Sequence, residues 1–353
     1  MPNWLASMQQ TYEYYEVDPG TWSDKRRLEN IKSCSIVRDL DNDTLGSASI
    51  QTSEQLGEMY IRCYLVTTQH RIVERTPLGT HLYQTTSSGH DGKTPAIGLD
   101  GYSPLIELKE SMPPIGYSLG GNTNILTMAT TLVREHARAP VVAGKSDAVL
   151  KTPFVASTDD TWFTYVRDYI YAASYHFDLD DMGRILFAPD QDFNSLRPIW
   201  TYDDGNSSIL YPDIDMDRDL YGVPNVMEVV YSRSNGVTLF SRVVNDDPNS
   251  PISTVNRGRE VVSRINDPEL TGEPTQYMLD QYARQALRNA STLEHTLKYS
   301  HGYCPVTIGN CVLLNYERAG LRNIKAKVTR QSIKCETGCK VEETAVYTTS
   351  LWG

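Results

Sequence analysis

The stretch from Asn225 to Gly258 constrains the fold most, because it places a β-hairpin directly before a rigid, turn-rich segment. Val226–Tyr231 and Val237–Val244 are rich in β-branched and aromatic residues, which favour strands. Asn235-Gly236 between them is the dipeptide that supplies positive φ angles to a two-residue hairpin turn. Asn245–Pro251 (NDDPNSP) then ends the sheet, since proline donates no ladder hydrogen bond and Asp and Asn side chains bond turn backbone. The stretch therefore predicts architecture and carries no catalytic group.

The hairpin lies within a longer series of motifs in the second half of the chain. In order, these are Val223-Pro224-Asn225, Asn245–Pro251, Asn256-Arg257-Gly258-Arg259, a helix over Thr275–Ala290, a strand over Thr292–Ser300, and Pro305–Val312 (PVTIGNCV). Together they resemble the baseplate hub proteins of bacteriophage tails, across about residues 162–347. That family includes the hubs of contractile-tail phages and the hub part of secretion-system spikes. The last motif is similar to the family's Ile-Gly-Asp-x-Val pattern, with Asn310 in place of the usual Asp.

The resemblance implies a structural role and a set of partners. A hub joins the tail tube to the central spike and forms part of the channel for the genome and the tape measure protein. The resemblance implies a homotrimer, in which two barrel-like domains per chain give six similar positions that match a six-fold tube. The expected partners are a tail tube or distal tail protein, a spike protein and the tape measure protein. The expected location is the virion baseplate, after assembly in the host cytoplasm.

The length predicts more than one domain, because 353 residues exceed the ~250–300 that one hydrophobic core supports. We predict a mixed, β-rich α+β fold with two barrel-like β domains flanking a small α/β module. The predicted ranges are an N-terminal arm (1–27), a first barrel-like domain (28–111), a middle α/β domain (112–222) and a second barrel-like domain (223–353) with an inserted helix (275–290).

Hydrophobic periodicity assigns the elements of these ranges. Short strands are predicted at Thr11–Val17, Ile31–Val37, Ser47–Thr52, Met59–Val66, Ile72–Glu74, Thr80–Thr85 and from Gly98. The middle range has an amphipathic helix from Asn124 that ends before Pro140, and a second helix after Ser157–Asp160, whose residues suit a helix N-terminus. A hairpin is predicted over His176–Ala188. The last strands are predicted at Val312–Tyr316, Ile324–Ser332 and Glu343–Tyr347.

Net charge and the distribution of apolar residues argue against several classes of protein. The net charge of −11 opposes sequence-independent binding to nucleic acid, which requires a basic surface. The amino-terminal residues have no basic region followed by an apolar core, so we expect no secretory signal. No apolar run approaches the ~20 residues of a membrane helix, so we expect no membrane association.

Six cysteines leave three interpretations open. Without a secretion signal, disulfides are not the default, so free thiols are favoured. Cys304, Cys311, Cys335 and Cys339 could hold zinc, although structural zinc sites prefer a tighter spacing than the gap between Cys304 and Cys311. A local disulfide between Cys335 and Cys339 is the third interpretation. We predict no metal site and no cofactor, and expect the cysteines to be dispensable for folding.

Four aspartates alternate at Asp213, Asp215, Asp217 and Asp219. A calcium loop would need Gly at its sixth position and Glu at its twelfth, where this chain has Arg218 and Pro224. We therefore predict an exposed, acid-faced strand or loop, which discourages edge-to-edge aggregation.

No enzyme motif is recognisable in the sequence. There is no phosphate-binding Gly-rich loop, Gly-x-Ser-x-Gly elbow or His-Glu-x-x-His helix. His136 lies on an amphipathic helix with no second histidine four residues away, and His176 and His295, which fall in strand patterns, are interpreted as structural. The separation of carboxylate pairs such as Asp159/Asp160 and Asp203/Asp204 depends on the tertiary structure. We predict a non-enzymatic protein with no catalytic residues. The alternatives are a tail-associated cell-wall hydrolase and a receptor- or carbohydrate-binding tail protein, the latter kept open by the acidic charge and 22 tyrosines.

Overall fold

The computed structural model describes residues 2–90, 92, 95–232, 236, 238–268 and 275–352. The chain forms two compact units. Unit 1 consists of Met1–Ile214 and Tyr299–Thr344, and unit 2 of Asp215–Lys298 and Ala345–Gly353.

The elements follow one another along the chain in three groups. The first group is β1 (Gln9–Val17), β2 (Asp24–Arg27), β3 (Ile31–Asp39), β4 (Gly46–Thr52), β5 (Met59–Gln69), β6 (Ile72–His90) and β7 (Pro95–Tyr102). The second is α1 (Ile106–Lys109), β8 (Ser118–Leu119), β9 (Thr123–Asn124), α2 (Ile125–His136), β10 (Val149–Leu150), β11 (Phe154–Val155), α3 (Trp162–Tyr171), β12 (Tyr175–Leu179) and β13 (Ile185–Pro189). The third is β14 (Trp200–Asp203), β15 (Leu210–Arg218), β16 (Val226–Ser232), β17 (Thr238–Val244), α4 (Thr254–Arg257), β18 (Val262–Asn266), α5 (Gln276–Ala290), β19 (Thr292–Gly302), β20 (Cys311–Asn315), β21 (Ile324–Lys334) and β22 (Lys340–Ser350).

The largest sheet has 13 strands and is mainly antiparallel, with the order β15-β19-β22-β21-β3-β4-β7-β6-β5-β1-β2 and with β14 and β20 branching from β21. The predicted strands at Ile31, Ser47 and Met59 are confirmed, and the predicted pieces at Ile72 and Thr80 are one long strand, β6. The arm also forms a strand, because β1 pairs antiparallel with β5 along its whole length.

The two ends of the chain share this sheet within unit 1. β3 pairs with β21, for example Ile36 with Ile333, so strands that the sequence analysis placed in separate barrel-like domains are neighbours. Both residues lie in one core with Leu65, Leu99 and Val341. The β-rich mixed fold is confirmed. Among the described residues no pairing closes the sheet, so barrel closure and the four predicted domain ranges stay predictions.

The α/β module of unit 1 forms as its sequence pattern predicts. α2 begins after Asn124, whose side chain accepts a hydrogen bond from the Thr127 amide, and it ends at His136, before Pro140. α3 begins after Thr161, which forms a capping box with Thr164. The buried face of α3 contains Trp162, Val166, Tyr169 and Ile170. β12 and β13 form the predicted hairpin.

A buried arginine ties that hairpin to the large sheet. Arg62 in β5 is 1% exposed and donates hydrogen bonds to Asp24 Oδ1 (2.7 Å), Thr80 Oγ1 (2.8 Å) and the Met182 carbonyl (3.3 Å). Gly183 beside it has φ +74°, and a Cβ there would lie 2.7 Å from the Thr80 Cβ. The turn of the hairpin therefore approaches the sheet more closely than any larger residue allows.

Unit 2 is a small sheet covered by a helix. β16 pairs antiparallel with β17 and parallel with β18, which the sequence analysis did not predict. α5 begins after Thr275, which caps the Met278 amide, and packs Leu279, Ala283 and Leu287 against Met227 and Val229. The apolar spacing of three and four residues explains why this face is buried.

The predicted two-residue turn at Asn235-Gly236 lies almost entirely outside the described residues. Gly236 is described and has φ +80°, which suits glycine. Ser232 pairs with Thr238, so an odd number of residues lies between these paired positions. A two-residue turn requires an even number, and the observed register therefore differs from the predicted one by one residue. None of the described helices, of which α5 with 15 residues is the longest, could span a lipid bilayer.

Candidate functional site

Three cysteine thiols meet in the core of unit 1. Cys34 lies in β3, Cys63 in β5, and Cys335 directly after β21. Their Sγ atoms all lie within 4.8 Å of one another, and the Sγ atoms of Cys63 and Cys335 are 3.8 Å apart. The Cys335 amide donates to the Cys34 carbonyl (3.0 Å), which places these two residues side by side across the β3–β21 pair. The sheet therefore gathers three thiols from distant parts of the sequence.

Burial makes these thiols unlike ordinary surface cysteines. Hydrogen bonds from Cys335 and Cys63 lower the pKa of Cys34, whereas burial raises the pKa of Cys63. Tyr14 lies in the same core, and burial, followed by interaction with Cys34, raises the pKa of this tyrosine. The pKa values of Cys34 and Cys63 are thus shifted in opposite directions, as expected for buried groups that interact.

The structure groups the cysteines differently from the zinc set that the sequence suggested. The Sγ atom of Cys304 contacts the Tyr202 hydroxyl (3.3 Å), and that of Cys311 faces the Val312 carbonyl (3.9 Å). Cys335 and Cys339 are free thiols, not a disulfide. Cys339 is buried, and burial raises its pKa to about 12. Cys34 and Cys63 were missed because neither has a cysteine nearby in sequence.

A second buried cluster in unit 1, the Glu343 network, is a hydrogen-bonded ion pair. Glu343 Oε1 accepts from the Tyr299 hydroxyl (2.5 Å), and Oε2 accepts from Gln331 Nε2 (2.7 Å). His301 Nε2 lies 3.3 Å from the same Oε2, and both side chains are 0% exposed. His301 also contacts the Tyr202 hydroxyl (3.0 Å). Each carboxylate oxygen is thus satisfied.

The partners of His301 fix its protonation. Its Nδ1 faces the Gly302 carbonyl (2.7 Å) and its Nε2 faces the Glu343 carboxylate, so both nitrogens carry hydrogen. Burial lowers the pKa of His301, but hydrogen bonds to Cys304 and Glu343 outweigh it and raise that pKa to about 10. A sequence signal existed: the inward alternation of Leu297 and Tyr299 along β19 continues to His301.

His176 and His295 have structural surroundings, as predicted, and so has His136. His136 stacks on Trp162 with ring centroids 3.9 Å apart, and burial lowers its pKa. His176 Nδ1 lies 2.7 Å from Asp190 Oδ1 at the surface. His295 Nε2 contacts the Thr349 hydroxyl (2.9 Å), and its ring also stacks on an aromatic neighbour.

The two ends of the large sheet are exposed. β2 is four residues long, and all four are charged and exposed. β15 contains Asp213, Asp215 and Asp217 at exposed positions together with Pro212, which donates no hydrogen bond. The predicted acid-faced strand is thus confirmed. Short, charged or proline-containing edges resist uncontrolled strand addition.

The Asn310 motif also has a structural explanation. Asn310 Oδ1 accepts a hydrogen bond from the Thr307 amide (2.9 Å), and Gly309 between them has φ +82°. An aspartate carboxylate would accept the same bond, so Asn preserves the turn that precedes β20.

Proteins of known structure share this fold over nearly the whole chain. The tail protein from Neisseria meningitidis MC58 has a TM-score of 0.63 at 12% identity, over 97% of this chain and 98% of its own. The 43 kDa tail protein of prophage MuSo2 from Shewanella oneidensis has a TM-score of 0.64 at 12% identity, over 96% of this chain and 98% of its own. No protein-family model and no curated protein sequence matches the chain.

A chain of a two-protein complex contains the same fold. One chain of the Francisella PdpA–VgrG complex has a TM-score of 0.58 at 8% identity, over 99% of this chain and 54% of its own, so this chain spans about half of that relative. At such identities the likeness is one of fold. The resemblance that the motifs suggested is confirmed at that level, and the chain has the fold of phage tail proteins.

Proposed function

We propose that the chain is a structural component of a phage-tail-like baseplate, a hub that joins the tail tube to the central spike and lines part of the channel. The observation that carries this proposal is the match in fold over 97% and 96% of the chain to two phage tail proteins. The hub-like motifs between residues 223 and 312 point the same way. The fold shared with a chain of the PdpA–VgrG complex supports a position beside a spike.

The proposed assembly is a homotrimer that contacts a tube or distal tail protein and a tape measure protein. A closed ring leaves no unpaired subunit face, which limits growth into fibres. The charged β2 and the proline-containing β15 protect the free chain before assembly. The net charge of −11 suits a channel, because an acidic lining repels the phosphates of a passing genome.

We assign one subunit contact to residues 216–221 of unit 2, a segment that begins within β15. Met216 is 50% exposed, Leu220 40% and Tyr221 93%, so three large apolar side chains within six positions face solvent. Aromatic side chains of this kind often dominate the binding energy of protein interfaces. A partner subunit would cover them in the assembled ring.

The mass of the purified chain in solution, with and without its spike protein, tests the proposal. We expect a trimer by light scattering, at least when the spike is present. Met216→Ser with Tyr221→Ser should weaken association, whereas Tyr277→Ser, which removes a tyrosine that is 72% exposed on α5, should leave it unchanged. A chain that is monomeric under both conditions would contradict the trimer.

Two further measurements test the role itself. Cryo-electron microscopy of the parent particle with this chain labelled should place it at the tube–spike junction. Zymography with host cell walls should show no lytic band, and glycan arrays should show no specific binding. A clear lytic band would favour the hydrolase alternative, and glycan binding would favour the receptor-binding one.

A further inference from the structure

We propose that Cys34, Cys63 and Cys335 form a buried metal site for a thiophilic divalent cation, zinc in the cell. The proposal departs from the sequence-based expectation of no metal, and it uses a different set of cysteines. It is independent of the hub function, since it rests only on the interior of unit 1.

The spacing of the sulfurs carries the proposal. Zinc–sulfur bonds are about 2.3 Å long, so two thiolates on a tetrahedral ion lie about 3.8 Å apart. The Sγ atoms of Cys63 and Cys335 are 3.8 Å apart, and the third sulfur lies within 4.8 Å of both. A disulfide would instead bring two sulfurs to about 2.0 Å and leave the third without a partner.

The surroundings favour a structural site over a reactive one. Cys34 and Cys63 are 6% and 4% exposed, within the core that also contains Ile36 and Leu65. Thiols are weak hydrogen-bond donors and acceptors, so three of them facing each other satisfy one another poorly. A metal ion replaces those weak contacts with three strong bonds. On binding, each thiol releases its proton to solvent as its sulfur–metal bond forms.

Two neighbours complete the site. Tyr14 lies in the same core as Cys34, and its hydroxyl would donate to that sulfur once it is a thiolate and would orient it. Cys339 is buried in the same core, four positions after Cys335, and is the fourth thiol at hand. It lies outside the group of three, so its contribution is tested separately.

The consequence is a cross-link between parts of the chain that are far apart. The three ligands come from β3, from β5 and from the end of β21, so one ion would bind together strands from both ends of the sequence. Such a site exists only in the folded chain, and metal binding therefore adds directly to folding. The ion should be loaded during folding and resist chelators in the native protein.

The first test is the metal content of the full chain, purified with reductant from zinc-supplemented medium. We expect about one zinc per chain by mass spectrometry, retained in EDTA and released on unfolding. Cys63→Ser and Cys335→Ser should lower zinc affinity by about tenfold or more. Cys304→Ser and Cys311→Ser, which remove buried thiols outside the cluster, should keep the metal. If Cys339→Ser loses the metal, Cys339 is a fourth ligand. If this variant keeps the metal, the site has three cysteine ligands.

The second test uses wild-type protein only, so it does not depend on whether a variant folds. Wild-type protein refolded with Co²⁺ should show thiolate-to-cobalt charge transfer and the visible bands of tetrahedral cobalt. The proposal is overturned if these bands are absent and zinc is not retained. It is also overturned if the control variants lose metal as the cluster variants do, or if thiol titration of the unfolded, non-reduced protein finds four thiols instead of six.

Discussion

Asn225 in unit 2 and Glu343 in unit 1 are both almost completely buried, but the hydrogen bonds that compensate for their lost hydration differ. Asn225 Nδ2 donates to the carbonyls of Ile252 (3.0 Å) and Arg259 (2.9 Å), and its Oδ1 accepts from the Val261 amide (2.7 Å). This neutral side chain, the Asn225 clamp, bonds only to backbone. Glu343 is charged and bonds only to side chains.

The two clusters should differ in how they respond to pH and to the loss of one side chain. A neutral amide that bonds backbone has no proton to lose, so the Asn225 clamp should be insensitive to pH. The Glu343 network depends on the charge of His301 and on side chains from four strands, β14, β19, β21 and β22. A buried ion pair is also more vulnerable to loss of one partner, because the other charge is left unpaired in the core.

The largest expected effect is the removal of the carboxylate. Glu343→Ala leaves His301 charged and the Tyr299 hydroxyl unpaired, and should lower the free energy of unfolding by about 3–5 kcal/mol. Glu342→Ala is the matched control, because the neighbouring carboxylate is 45% exposed and pairs with Lys334 at the surface. Its cost should stay below about 1 kcal/mol. Equal effects in urea denaturation would contradict the assignment of the network.

Alkaline pH should act on the same network. The pKa of His301 is about 10 in the folded chain and about 6.5 when unfolded, so its contribution is complete below pH 6.5. It is lost as pH rises towards 10, by an amount on the order of a few kcal/mol. His301→Gln should have a lower free energy of unfolding at neutral pH, and this free energy should depend less on pH than in wild type. For Asn225→Ala the curve of unfolding free energy against pH should run parallel to that of wild type. A parallel His301→Gln curve would show that the histidine is neutral.

Breaking the Asn225 clamp should cost less. Asn225→Ala leaves two carbonyls and one amide without partners, and should destabilise by about 2 kcal/mol at every pH. Asn249→Ala, which removes an exposed side chain bonded only to Asp247, should cost less than about 0.5 kcal/mol. Hydrogen exchange at the Val261 amide should accelerate in the first variant and not in the second.

Single hydroxyls give the finest comparison. Tyr299→Phe removes a donor to a carboxylate and should cost about 1.5 kcal/mol, the lower end for a bond to a charged group. Ser250→Ala removes a hydroxyl that donates to the Leu351 carbonyl and accepts from Asn245, and should cost about 1 kcal/mol. If Ser250→Ala proves the costlier of the two in thermal unfolding, charge is not what distinguishes the clusters.

The clamp could be predicted from sequence to a large extent. Asn225 and its three partners lie within 37 positions, in or directly after the stretch from Asn225 to Gly258 that constrains the fold most. Asn245, Ser250 and Ser253 form turns and a cap with their own neighbours, which is what their side chains favour. What the sequence did not indicate is the parallel strand β18, because parallel pairing requires a partner chosen elsewhere in the chain.

The Glu343 network and the thiol cluster could not be predicted in the same way. Tyr202, His301 and Glu343 span more than a hundred positions, and Cys34 and Cys335 span nearly the whole chain. Each residue alone looks like an ordinary inward or outward position of a strand. Cys34 and Cys335 meet only because β3 pairs with β21.

The sequence by itself determined the local elements: the caps and buried faces of α2, α3 and α5, most strands, and the rigid exit after β17. Helix periodicity, capping and turn chemistry act between residues a few positions apart, so they can be read along the chain. The tertiary structure alone decided which strands are neighbours, and with it the sharing of one sheet by both ends of the chain. Strand pairing is made by backbone hydrogen bonds that every residue type except proline can form in full, so the identity of a distant partner leaves no local mark.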